Sequence, residues 1–272
     1  MKIKVSAALL GGLLLASSSA FAHKLWLNPM EYFPAPGSSV EIGIGWGHKY
    51  PANRVHQELK EGMPDKIQAL DPDGQSAEMT KVSDGLYKLK ISKAGAYVIT
   101  ADNKPGFFTV TKDGRKWGNK TEVTADKSQC TNFYIGAKAV LIAGGSDTGL
   151  ERAAGQSVEL VPLTNPGAVK KNDAFRVKVL FNGQPLADLP LKAAYAGFDT
   201  VEEGSDPHAA DMKKMADRPF PAEAVTDAKG EAELHFDRPG YWMISLSHKS
   251  PYPDKAVCDK YMYNMTYTLQ VQ

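Results

Sequence analysis

Short runs in which apolar and polar residues alternate recur along this 272-residue chain, and no long segment keeps a helical period with proper caps. A period of two puts one face of an extended segment on a core and the other in water, the mark of a half-buried strand. Val40-Glu41-Ile42-Gly43-Ile44, Leu86-Tyr87-Lys88-Leu89-Lys90-Ile91 and Tyr97-Val98-Ile99-Thr100 carry it in the first half. Phe175-Arg176-Val177-Lys178-Val179-Leu180, Ala232-Glu233-Leu234-His235-Phe236 and Trp242-Met243-Ile244-Ser245-Leu246 carry it in the second. Turn formers bound the runs. Asp71-Pro72-Asp73-Gly74 reads as a turn, and Asn182-Gly183 ends the Phe175 run with a tight hairpin signal. The expected fold is all-β, with two Ig-like or transthyretin-like β-sandwich domains in tandem.

A weak internal repeat supports two domains. Lys93-Ala94-Gly95-Ala96-Tyr97-Val98-Ile99-Thr100 is similar to Arg238-Pro239-Gly240-Tyr241-Trp242-Met243-Ile244-Ser245. In both, Gly lets the chain enter a strand with an unusual φ. The polar stretch Gly144-Gly145-Ser146-Asp147 marks the expected boundary, giving domains over 23–145 and 146–272. The charged segment Gly204–Arg218, with Met212, Met215 and His208, reads as a long surface loop or short helix between strands.

Residues 1–22 read as a secretory signal. Lys2 and Lys4 precede an apolar run from Val5 to Leu15, and Ala20-Phe21-Ala22 is a small-residue cleavage site. The expected location is therefore the periplasm. About 250 residues remain after the cut, enough for one large domain or two ordinary ones. Loss of the two lysines takes the formal charge from +1 to −1. A near-neutral chain without basic blocks gives no reason to expect nucleic acid as a partner. No second long apolar run predicts a membrane span once the signal is gone.

Cleavage after Ala22 makes His23 the first residue, with an α-amine and an imidazole on one residue that can chelate a metal through two nitrogens. A cut after Ala20 would bury it behind Phe21-Ala22. Five further histidines follow. His48 sits in the glycine-rich Gly45-Trp46-Gly47-His48-Lys49-Tyr50-Pro51, and His56 lies eight residues on. His248 extends the apolar stripe of Trp242, Ile244 and Leu246 to the end of its strand, where a ligand can be half-buried and still reach a metal. His235 points opposite to Leu234 and Phe236 and reads as an exposed strand residue; His208 reads as solvated, with a weak soft-ligand site alongside Asp211, Met212 and Met215 as its alternative. His23, His48, His248 and His56 are the candidate metal ligands, since late transition metals favour clusters of neutral imidazoles. For any single histidine, a purely structural role is the competing reading. Cys130 and Cys258, an even pair in an exported chain, are most simply a disulfide.

Several motifs together resemble one family. Ala22-His23-Lys24-Leu25-Trp26-Leu27-Asn28-Pro29 opens the match, and Gly47-His48-Lys49-Tyr50-Pro51 follows. Val158-Glu159-Leu160-Val161-Pro162-Leu163-Thr164-Asn165-Pro166 and Gly183-Gln184-Pro185-Leu186-Ala187 continue it. Pro239-Gly240-Tyr241-Trp242 leading to His248, then Cys258-Asp259-Lys260-Tyr261, close it. In that order they resemble the periplasmic DUF4198 proteins, which include NikK-like nickel- and cobalt-uptake components. The resemblance implies a β-sandwich and metal handling beside an inner-membrane importer of the energy-coupling-factor type. His23, His48 and His248 lie in the matching motifs; His56 is added by proximity alone.

The leading expectation is a periplasmic binding protein for Ni²⁺ or Co²⁺, not an enzyme. The metal choice leans on the resemblance, because imidazole suits nickel, copper and zinc alike. If His23, His48 and His248 all bind, the site bridges the two domains. A metal-free carbohydrate-binding or structural sandwich is the alternative, supported by Gly183–Leu191. A copper-dependent polysaccharide monooxygenase is a third, opposed by the two-module layout and the lack of a recognisable flat aromatic face. No Gly-x-Ser-x-Gly elbow, His-Glu-x-x-His helix or phosphate-binding glycine loop is present.

Overall fold

The computed structural model describes residues 23–47, 50, 59, 62–198 and 219–272. The expected all-β fold is what forms. The first strands are β1 (Lys24–Pro29), β2 (Ser39–Gly47), β3 (Lys66–Leu70), β4 (Met79–Ser83), β5 (Leu86–Lys90) and β6 (Gly95–Asp102). Then come β7 (Gly106–Thr111), β8 (Gly114–Trp117), the long β9 (Lys127–Ala143), β10 (Val158–Pro162), β11 (Ala174–Phe181) and β12 (Gln184–Pro185). The last are β13 (Pro190–Tyr195), β14 (Ala222–Val225), β15 (Glu231–His235), β16 (Gly240–Pro251) and β17 (Lys260–Val271).

Local chemistry explains several boundaries. Asn182 and Gly183 both have positive φ, 49° and 76°, as the tight turn between β11 and β12 requires. Gly95 and Gly240, the paired glycines of the internal repeat, enter β6 and β16 at φ 129° and 113°. Gly45 has a different reason. A Cβ there would lie 1.8 Å from Nε1 of Trp26, its partner across the β1–β2 ladder, so only Gly lets the indole lie flat on β2.

The architecture is a central sheet with a smaller sheet on each face. The central sheet runs β14-β13-β16-β17-β9-β6-β3, with β7 on β9 and β8 on β7. One cover is β1-β2-β5-β4; the other is β10-β11 with β12 and β15 also on β11. Central strands feed two cores by alternation. Tyr97, Ile99, Ala137, Ala139 and Leu141 pack with Leu25, Ile42 and Leu89 of the first cover. Ala96, Val98, Val140 and Ile142 point the other way, onto Val158, Phe175 and Val177 of the second. Because both faces of β9 are buried, its stretch from Ile135 to Ala143 is apolar or small almost throughout.

The sequence halves 23–145 and 146–272 are joined within this sheet. β17 pairs in parallel with β9 from Lys260↔Thr131 to Thr268↔Ala139, the one parallel ladder among the described strands. The expected disulfide is present at its start: Cys130, near the beginning of β9, is bonded to Cys258, just before β17. Asp259 accepts from the Cys130 backbone N–H at 2.7 Å and from Lys120 Nζ at 2.5 Å, tying the same corner.

Candidate functional site

β1 lies across the central sheet and is fixed by side chains of β16 and β17. Thr266 Oγ1 donates to the Leu25 carbonyl at 2.6 Å and Thr268 Oγ1 to the Leu27 carbonyl at 2.8 Å. Lys24 Nζ donates to Ser245 Oγ at 3.1 Å. β1 starts there, and beyond its head the described residues leave a cleft of about 540 Å³ in the sheet face, with Lys24 at one wall and Lys192, Ser245, Ser247, Lys249 and Asn264 around it.

The register explains the grouping. Lys192 of β13 pairs with Ser245 of β16, which pairs with Thr266 of β17. One step on, Ser247 pairs with Asn264, which pairs with Ile135 of β9. Side chains two apart on a strand share a face, so Ser245, Ser247 and Lys249 all point toward the side that carries β1. Burial and the nearby Lys192 charge push the Lys24 amine down to about 8.

His23 is half-buried at the head of β1, its ring stacked on Trp46 at 5.3 Å between centroids and 16° between planes. Its neighbour Lys24 pairs with Gly47, the last residue of β2. His48, His56 and His208 lie outside the described residues, as does the whole Gly204–Arg218 segment.

His248 takes the opposite side of β16. It shares parity with Trp242, Ile244 and Leu246, which enter the core beneath the second cover. Its ring meets Phe181 at 4.6 Å and Tyr263 at 6.2 Å. Burial lowers its pKa and so favours the neutral ring. The His248 side chain therefore points away from the face to which Lys24 is bonded. His248 is nonetheless among the residues that line the cleft. His235 is exposed, as expected, with Nε2 at 2.9 Å from Glu233 and Nδ1 near the Asn172 carbonyl; these acceptors raise its pKa. Among the described residues, no three His, Cys, Asp or Glu side chains converge as a metal-holding group.

Two assemblies were hidden in the sequence. The first is the lysine-walled cleft, whose cations come from three strands far apart in the chain. The second is an aromatic row around His248. Tyr134 and Tyr263 stack at 4.8 Å, Tyr261 and Tyr252 meet at 4.7 Å, and Phe107 joins Tyr252 at 6.0 Å. The only local sign is Tyr261-Met262-Tyr263, which sets two tyrosines on one face of a strand; the other rings come from β7, β9, β11 and the loop after β16.

The family model described as Domain of unknown function (DUF4198) matches residues 20–250. No curated protein matches. Among solved structures, the D00-D0 domain of Intimin is 14% identical, covers 91% of this chain and 99% of its own, and has a TM-score of 0.21. The D0-D1 domain of Intimin is 11% identical over 92% of this chain and 99% of its own, with a TM-score of 0.22. A Salmonella alpha-2-macroglobulin mutant is 13% identical over 97% of this chain and 16% of its own, with a TM-score of 0.24. With the family match spanning most of its length, the chain belongs to the DUF4198 family.

Proposed function

We propose that this protein binds a divalent transition metal, Ni²⁺ or Co²⁺, in the periplasm and passes it to an inner-membrane importer of the energy-coupling-factor type. The observation that carries the reading is the seat of His23, half-buried and stacked on Trp46 at the head of β1. After a cut behind Ala22, the α-amine and imidazole of His23 would close a chelate ring on a ring-braced, rigid strand. Gly47 pairs with Lys24, and His48, the next residue in the sequence, is the second candidate nitrogen donor. His56 is a further candidate from the sequence alone. In this reading His248 does not share the His23 site, because its ring belongs to the opposite face of β16.

The test is calorimetric titration of Ni²⁺, Co²⁺, Cu²⁺ and Zn²⁺ into the exported protein, beside a sample with one extra residue ahead of His23. Tight binding, weakened about tenfold or more by the extension, is the expected result. Binding should also weaken as pH falls through the imidazole range near ~6.5, because the ligands must be deprotonated. Equal binding by both samples would remove His23 from the site. No binding by either would favour the second reading, a metal-free carbohydrate-binding sandwich, to which the aromatic row from Phe107 to Phe181 lends support.

A further inference from the structure

We propose that the cleft beyond the head of β1 is a binding site for a small organic anion carrying two or more negative charges, of the di- or tricarboxylate class. Three lysines border it, Lys24, Lys192 and Lys249, and no Asp or Glu is among its described lining residues. Lys24 is half-buried and meets a neutral hydroxyl, Ser245 Oγ, where a carboxylate would ordinarily offset its charge. Lys192 has an acidic cross-strand neighbour, Glu223, yet makes no ion pair with it; its Nζ lies 5.0 Å from the centre of the Phe220 ring instead. Lysines from three strands facing one cleft, with no Asp or Glu among its described lining residues, leave a positive field that an incoming anion would neutralise.

The remaining walls select the kind of anion. Ser245, Ser247 and Asn264 supply hydroxyl and amide groups for the polar edges of a ligand. Phe220, Met262 and Ile135 supply apolar surface that a bare inorganic ion would leave unused. A volume of about 540 Å³ lies within the ordinary range for small-molecule sites and far exceeds one phosphate. The inference stands on this geometry and does not require that metal be bound at His23.

The experiment is titration of citrate into the exported protein in metal-free, low-salt buffer, with succinate and inorganic phosphate as comparisons. Citrate should bind, more weakly as salt rises, with phosphate at least tenfold weaker. Lys192→Met, an exposed position with little bearing on folding, should weaken citrate about tenfold, as should Lys24→Met. Lys116→Met, on the distant exposed strand β8, should bind as wild type does. No citrate binding, phosphate binding as tight as citrate, or the same loss in all three variants would overturn the proposal. Nickel titration of Lys192→Met gives an independent readout of the His23 site, so loss of anion binding and loss of metal binding are told apart.

Discussion

Lys24 carries opposing demands at a single residue. Its backbone must enter the β1–β2 ladder against Gly47, while its amine is drawn into a half-buried cleft beside Lys192. Folding depresses its pKa to about 8 from 10.5. Below about 8 the amine is charged in both states and the folded chain bears the full cost. Between about 8 and 10.5 the folded protein sheds the proton while the unfolded chain keeps it, so stability contributed by this residue rises with pH. Urea unfolding at about pH 7 and about pH 9.5 should show that rise in wild type and a flatter profile in Lys24→Met, which should also be the more stable protein at pH 7. Parallel profiles for the two proteins would mean that Lys24 is not strained by its surroundings. Nothing in the local sequence His23-Lys24-Leu25 signals this, because the second lysine and the serine arrive from β13 and β16.

At the scale of elements, legibility followed exposure for most strands; β6, read from Tyr97–Thr100, is the exception, being buried along nearly its whole length. β2, β5, β11, β15 and β16 touch water on one side for part of their length, so alternation betrayed them. β9 hides both faces between Ile135 and Ala143, and its pattern there is a run of Ile, Ala, Val and Leu that periodicity cannot assign. One polar residue interrupts that run. Lys138 is 1% exposed and its Nζ lies 2.5 Å from Oε1 of Glu159 on β10, itself 2% exposed. Glu159 also accepts the backbone N–H groups of Ala154 and Gly155, at 2.6 and 3.0 Å, so the pair clamps the link between β9 and β10. Burial draws the Lys138 amine below its usual range, against the pull of Glu159. Glu159→Gln leaves a buried ammonium without its counter-charge and should cost about 3–5 kcal/mol by denaturant unfolding. Adding Lys138→Met should recover much of that loss, because the charge needing a partner is gone. A double variant no more stable than Glu159→Gln would show that the clamp acts through shape and not through charge.

For the whole molecule, the continuous central sheet matters more than the division at 145. β9 and β17 meet in register over nine residue pairs, and the two cores lie on opposite faces of shared strands. A hydrogen-bonded ladder, not a free linker, connects the halves, so loss of one core strips cover from strands that serve the other. The pairing of distant segments was foreseeable only at its end, where Cys130 and Cys258 are the chain's two cysteines; the parallel ladder behind them has no local signature. The bridge closes a loop with a sequence separation of 128 residues, and the loss of such a crosslink costs about 2–5 kcal/mol. Cys130→Ser with Cys258→Ser should therefore lower the unfolding midpoint. Because the sheet is shared, near- and far-ultraviolet circular dichroism should still report one coincident transition. Two separated transitions would mean that each half holds its own fold and that the β9–β17 ladder merely docks them. A single transition at a lower midpoint would place the cooperative unit at the level of the whole sheet, with the disulfide fastening its parallel joint.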